Sequence, residues 1–214
     1  MVDLTQSLTP DLPRFPGDPE VEIEPIHEFA PWQISALRMG THSGTHMDAP
    51  RHRFPDGGGI GDFGPERLIG HGLVIDAQGF GDNEALPESL VDVPRPHLRP
   101  GMFAVIHTGW DRYWREERYF RHPYLSPGLA EALAAAGVGI VAIDTLSIDS
   151  TADAGSEAHE ILLGAGILVA ENLCRLDLLT PLKLYVFAFL PLALGSADGA
   201  PARVVAWDPD ALVR

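Results

Sequence analysis

Thr41-His42-Ser43-Gly44-Thr45-His46-Met47-Asp48-Ala49-Pro50-Arg51-His52 places three imidazoles and a carboxylate within the eleven residues from His42 to His52. Each imidazole has two polar nitrogens that need partners when buried, so core packing explains this density poorly. The stretch reads as a metal site. Just upstream, Gln33 to Met39 alternates as a strand does, with Ile34, Ala36 and Arg38 on one side. If that extended path continues, a period of two brings His42, Gly44, His46 and Asp48 to one face, and Gly44 leaves its centre free of a side chain. Pro50 then ends the strand, and Arg51 and His52 turn over the pocket. Gly44, Thr45 and Pro50 disfavour a helix.

Imidazole with carboxylate suits zinc, manganese or iron. His42, His46 and Asp48 make a three-ligand open set, the pattern of catalytic rather than structural zinc. Such a metal acidifies water from a pKa of about 15.7 to roughly 7, which makes hydrolysis the natural chemistry. Rival nucleophiles are missing. There is no GxSxG elbow, and the lone Cys174 sits between Leu173 and Arg175 with no activating base; one cysteine also excludes an intrachain disulfide and a multi-cysteine zinc site.

Further along, Asp56 to Pro65 contains a literal GxGxxG at Gly59, Gly61 and Gly64. No hydrophobic strand precedes it and Pro65 follows directly, so the dinucleotide context is absent and a flexible loop is expected. Strands are expected at 21–24, 72–76, 102–107, 138–143, 167–170, 184–190 and 202–207. Ser126 and Pro127 open a helix that Gly137 stops, and Ser156 caps a second over 157–163. These are α/β units, and polar residues at strand ends such as Asp144 and Glu171 are common places for sites. Asp144 and Asp149 read equally as supports for a site or as capping and turn residues. His159-Glu160 begins like HExxH, but Leu163 breaks that motif. His71 and His97 read as surface residues. Trp110, Tyr113, Trp114, Tyr119, Phe120 and Tyr124 form an aromatic cluster that the rest of the fold, a partner subunit or an aromatic substrate would cover, with packing or subunit contact the first reading. Phe15, beside the Pro16-Gly17-Asp18-Pro19 turn, reads as packing or as a cover over a ligand.

The chain's 214 residues, 45% hydrophobic and 21% charged, suit a single globular domain over 1–214. Thirty acidic against 15 basic residues give −15, which repels phosphate backbones, so no nucleic-acid partner is expected. No stretch approaches a membrane span, and Asp3, Pro10 and Asp11 break the start where a signal peptide needs an apolar core. The expected location is the cytoplasm.

His42-Ser-Gly-Thr-His46-Met-Asp48-Ala-Pro-Arg-His52 resembles the HxGTHxDAPxH signature of the metal-dependent cyclase family, whose known members include bacterial kynurenine formamidases (arylformamidases). The likeness extends to Phe15-Pro-Gly-Asp18, Thr108-Gly-Trp110, Asp144, His159 with Glu171, Leu190-Pro-Leu-Ala-Leu194 and Asp198-Gly199. It implies an α/β fold, a swivelling β/β/α single domain with a mixed β-sheet or barrel-like core, assembled as a homodimer or homotetramer. It further implies two divalent metal ions, zinc first and manganese second. His42, His46 and Asp48 would hold one ion; Asp48, His159 and Glu171 would hold the other, with both carboxylates bridging. His52 would be the acid/base residue. The substrate implied is a small aromatic amide of the N-formylkynurenine type. Kynurenine formamidases of this family carry Trp where Phe15 stands, at a substrate contact, and relatives with the same signature open the lactam isatin. An isatin-type lactam hydrolase or a polyketide-like cyclase is therefore the alternative enzyme, and a metal-binding interaction protein without turnover is the alternative of another class.

Overall fold

The computed structural model describes residues 1–27, 31–153 and 155–210. In chain order the elements are β1 (Val2–Asp3), β2 (Glu22–Ile26), β3 (Ile34–Arg38), β4 (His46–Asp48), α1 (Pro65–Leu68), β5 (Ile69–Asp76), β6 (Ala85–Leu86), β7 (Phe103–His107), β8 (Tyr124–Leu125), α2 (Pro127–Ala135), β9 (Ile140–Ile143), α3 (Glu157–Gly164), β10 (Leu168–Glu171), β11 (Leu184–Pro191) and β12 (Gly199–Trp207).

Strands β12, β11, β5, β7, β9, β10 and β4 are hydrogen-bonded in that order, and β4 returns to β12, so seven strands close a ring. Neighbours from β5 through β7 and β9 to β10 are parallel; the remaining pairs of the ring are antiparallel. Parallel neighbours need long crossovers, and those between β7, β9 and β10 carry α2 and α3. The result is a mixed α/β fold around a closed barrel, as the resemblance implies.

Period-two alternation divides the apolar residues between two cores. Met47, Val74, Phe103, Val105, Ile140, Ala142, Leu168, Ala170, Phe187 and Phe189 fill the barrel. Their neighbours Leu73, Ile75, Ala104, Ile106, Val141, Ile143 and Val169 face outward and pack with Leu129 and Leu133 of α2 and Leu162 of α3. Burying such a side chain contributes about 1.5–3 kcal/mol, so both faces of these strands are committed. Because Met47 points into the barrel, His46 and Asp48 on either side of it point outward, where α3 lies.

Helix α2 is capped as expected, with Ser126 Oγ accepting from Leu129 N at 3.2 Å. Three expectations are overturned. The extended path from β3 does not reach Asp48: β3 pairs only with β2 in a separate exposed hairpin, residues 41–45 form turns, and β4 has three residues. Gly44, at φ +63°, breaks the strand. The glycine-rich segment is not a free loop, because Ile60 N donates to Ala197 O at 2.8 Å and Gly61 N to Gly195 O at 2.7 Å. Ser156 does not cap α3 with its side chain; the remote Asp149 does, accepting from Ala158 N at 2.9 Å and His159 N at 3.0 Å.

Candidate metal centre and catalytic pocket

Register brings the acidic groups together. On the paired strands β4 and β10, His46 lies directly opposite Glu171, and Asp48 opposite Val169. Helix α3 lays His159 over the same patch, and the turn before β4 returns His42 to it. Asp48, His46, Glu171 and His159 are all buried. Gly199 of β12 makes the close approach possible, since a Cβ there would stand 2.8 Å from His42 Cε1 and 2.6 Å from Met47 O.

Each of two imidazoles sits between one oxygen of either carboxylate. His46 Nε2 is 3.3 Å from Asp48 Oδ1 and 3.3 Å from Glu171 Oε2. His159 Nε2 is 3.5 Å from Asp48 Oδ2 and 3.4 Å from Glu171 Oε1. Ligand atoms about 2.1 Å from a tetrahedral ion are themselves about 3.4 Å apart, so these separations suit donors around a shared cation. Asp48 Oδ2 and His159 Nε2 are buried with no hydrogen-bond partner among the described residues. Leaving such a group unpaired costs about 1–3 kcal/mol, more for a charged one. The donor set therefore fits a divalent ion.

The far nitrogens are fixed as metal-binding histidines require. His46 Nδ1 faces Gly44 O at 2.8 Å, and His159 Nδ1 faces Asp149 Oδ2 at 2.6 Å, so both Nε2 atoms point at the carboxylates. Asn172, just after Glu171, donates from Nδ2 to the same Gly44 O at 3.0 Å and accepts from Tyr119 Oη at 2.8 Å. Ile148 N donates to Glu171 Oε1 at 2.7 Å and sets that carboxylate's plane.

His42 differs: its Nδ1 is 2.6 Å from Asp48 Oδ1 and its Nε2 3.0 Å from Asp198 Oδ2, so both nitrogens already face carboxylates. His52 stands on the turn Pro50–His52, its ring centroid 4.1 Å from that of His42 and 5.5 Å from that of His159. Its Nδ1 is 3.6 Å from Asp198 Oδ2, beyond a hydrogen bond.

Electrostatics separates the histidines. Burial disfavours charge on His42 and His46, but Asp198 and Asp48 raise the first to about 9, and Asp48 with Glu171 raises the second to about 10. Burial and the Asp48 charge push Glu171 up, yet His159 and His46 hold it at about 2. Two ionised carboxylates thus draw cations, and a metal would compete with protons for these donors. His52 moves the other way. Burial lowers its pKa, which leaves it a neutral imidazole able to take or give a proton.

These residues open onto a cavity of about 220 Å³ whose wall includes Phe15, Asp18, Arg53, Leu146 and Ser147. Asp144, in contrast, is buried and its carboxylate is taken up by Thr108 N, Thr108 Oγ1 and Gly109 N, which donate to it. The aromatic cluster is largely internal packing around Trp110 and Tyr119. Asn172 and Asp198 take part without having been singled out as site residues. Asp149 does both jobs the sequence left open, capping α3 and orienting His159. Replacing Asp149 with Ala is expected to weaken zinc binding about 10–100-fold in a chelator-competition titration, because the ring it steers is freed. Unchanged affinity would show that Asp149 serves the helix alone.

The family model described as "Putative cyclase" matches residues 2–150. A kynurenine formamidase from Paracidovorax citrulli is 34% identical, over 97% of this chain and 96% of its own. Among solved structures, an isatin hydrolase bound to the product analogue thioisatinate superposes with a TM-score of 0.86 at 25% identity, over 97% of this chain and 92% of that one. A potential metal-dependent hydrolase with cyclase activity gives 0.81 at 26% identity, over 97% and 98%. The HxGTHxDAPxH stretch lies inside the span matched by the family model, and the formamidase likeness covers nearly the whole chain. This chain belongs to the cyclase family.

Proposed function

We propose that the chain is a metal-dependent hydrolase of an aryl formamide or related amide, with an N-formylkynurenine-type substrate. The observation that carries this reading is the facing pair of unpartnered buried atoms, Asp48 Oδ2 and His159 Nε2, set among the other donors at ligand-to-ligand spacing. His42, His46 and Asp48 would hold one ion and Asp48, His159 and Glu171 a second, with both carboxylates shared. To join the first position, His42 would give up one of its two carboxylate contacts. Zinc is the first choice and manganese the second, and the ions supply Lewis acidity and water acidified to near neutrality.

The protein's own part is proton traffic and placement. Neutral His52 accepts the proton that water loses on attacking the amide carbon, then returns it to the departing nitrogen as the C–N bond breaks. An aryl amine leaves readily only when protonated. Formate and the free amine result. Phe15 packs on the substrate ring, and Asp48 and Glu171 stay ionised throughout.

Names of relatives support two substrates, and the likeness to an isatin hydrolase favours a lactam as the second. The deciding experiment assays zinc- and manganese-loaded protein side by side on N-formylkynurenine and isatin. Faster release of formate is expected. Faster ring opening of isatin would move the assignment to a lactamase, and metal bound without turnover of either would leave the interaction-protein reading. The protein is taken to act in the cytoplasm; no described helix is long and apolar enough to cross a membrane. A homodimer fits the β2–β3 hairpin, which exposes Ile23, Ile34 and Leu37 although two strands alone are marginal in water. Its mass in solution tests that.

A further inference from the structure

The cavity above the donor cluster is charged on its wall as well as at its base. Arg53 is the one lysine or arginine among the described residues that line it, and Asp18 faces the same space from the Phe15 turn. Arg53 is held, not free. Its Nε donates to Glu160 Oε1 at 3.0 Å and its Nη2 to the same oxygen, while Ser156 Oγ donates to that oxygen at 2.9 Å. Only one edge of the guanidinium is used, so Nη1 keeps both its donors and the Nη1/Nη2 edge stays open to a second carboxylate. An arginine clamped along one edge loses little further freedom when the other binds a ligand.

Asp18 has the opposite character. The Phe15 turn fixes its backbone, with Asp18 N donating to Phe15 O at 3.0 Å. Its carboxylate has no ion-pair partner among the described residues, for Arg14 is taken by Glu20. One loop thus supplies an aromatic ring together with an uncommitted anion, and the residue after His52 supplies a pre-set cation. A neutral lactam has no use for either charge. An aromatic amide with an α-amino-acid head uses both.

We propose that Asp18 and Arg53 form a subsite for a zwitterionic head, the ammonium on Asp18 and the carboxylate on Arg53, and so select an amino-acid-bearing aryl amide over a neutral one. This rests on the hydrolase reading for its purpose, but its test is a binding measurement. The head-bearing product L-kynurenine and its headless counterpart 2-aminoacetophenone are titrated calorimetrically into the purified full chain. Hydrogen bonds to charged groups of about 1.5–3 kcal/mol correspond to about 10–100-fold tighter binding of L-kynurenine. Arg53→Gln and Asp18→Asn are each expected to cut that ratio about tenfold, whereas Glu160→Gln, which removes the clamp but keeps the guanidinium, retains most of it. A wild-type ratio near one, no measurable binding of L-kynurenine, or a ratio unmoved by both Arg53→Gln and Asp18→Asn overturns the subsite. Loss of the ratio in Glu160→Gln as complete as in Arg53→Gln overturns it too, since Arg53 would then act as a structural clasp. Turnover is scored separately. Formanilide hydrolysis with a ratio of one keeps the hydrolase and removes the subsite, and a large ratio without any turnover does the reverse.

Discussion

Protein carrying Asp48→Asn is expected to emerge from purification with almost no bound metal and with kcat/KM lowered by about 10³-fold or more. The expectation follows from where Asp48 sits. Its side chain is fully buried, and its two oxygens face His42, His46 and His159 at 2.6, 3.3 and 3.5 Å. It is one of the two carboxylates shared between the proposed ion positions. Asparagine keeps the shape but removes the charge and turns one oxygen into an N–H donor, aimed at an imidazole nitrogen or at the ion itself. Metal assistance is worth several kcal/mol of transition-state charge stabilisation, and each 1.36 kcal/mol is tenfold in rate. Elemental analysis and kinetics on the same preparation check both halves. Metal at wild-type stoichiometry in the Asp48→Asn protein would remove Asp48 from the ligand set, and about one ion per wild-type chain would count against a shared pair.

How much of this site can be read from the chain depends on the range of each interaction. His42, His46, Asp48 and His52 announce themselves because they are close in sequence and chemically improbable as a core. Their shared location survives even though the strand expected to create it does not: Gly44 turns the backbone, and turns rather than alternation bring His42 back. The parallel strands and α2 are legible from apolar runs and capping residues, which are local signals. Closure of the barrel is not local. It rests on β12 meeting β4, Gly199 against Asp48, across about seven-tenths of the chain, and no periodicity encodes that register. Asp149 is legible only as a choice between site support and cap, since the helix it caps begins eight residues later and Ser156 offers a nearer, more ordinary cap. Asn172 and Asp198 are single polar residues in loops. Only the fold shows that one braces Gly44 and the other bridges His42 toward His52.

His52→Ala is expected to separate metal binding from catalysis: full metal content, an intact fold, and kcat lowered by about 10²–10⁴-fold, the usual contribution of a positioned acid/base. The rival role is concrete, because nitrogen or oxygen atoms of His42, Asp48 and His52 lie within 4.8 Å of one another and could share an ion. Geometry favours the proton carrier. The carboxylate in closest approach to His52 is Asp198 at 3.6 Å rather than Asp48 or Glu171, and its side chain is 35% exposed where the buried donors are nearly sealed. Removing the ring leaves no buried partner stranded, so neither folding nor metal loading is expected to depend on it. The two roles also differ in repair. A missing proton carrier can be replaced from solution, so added imidazole is expected to restore part of the lost rate, through the space the ring vacates, with a dependence that follows the neutral base. A missing ligand would instead show as lost metal, regained by raising the metal concentration. Metal depletion in the His52→Ala protein, or wild-type turnover without His52, would end its assignment as the acid/base and return the proton transfers to another group lining the cavity.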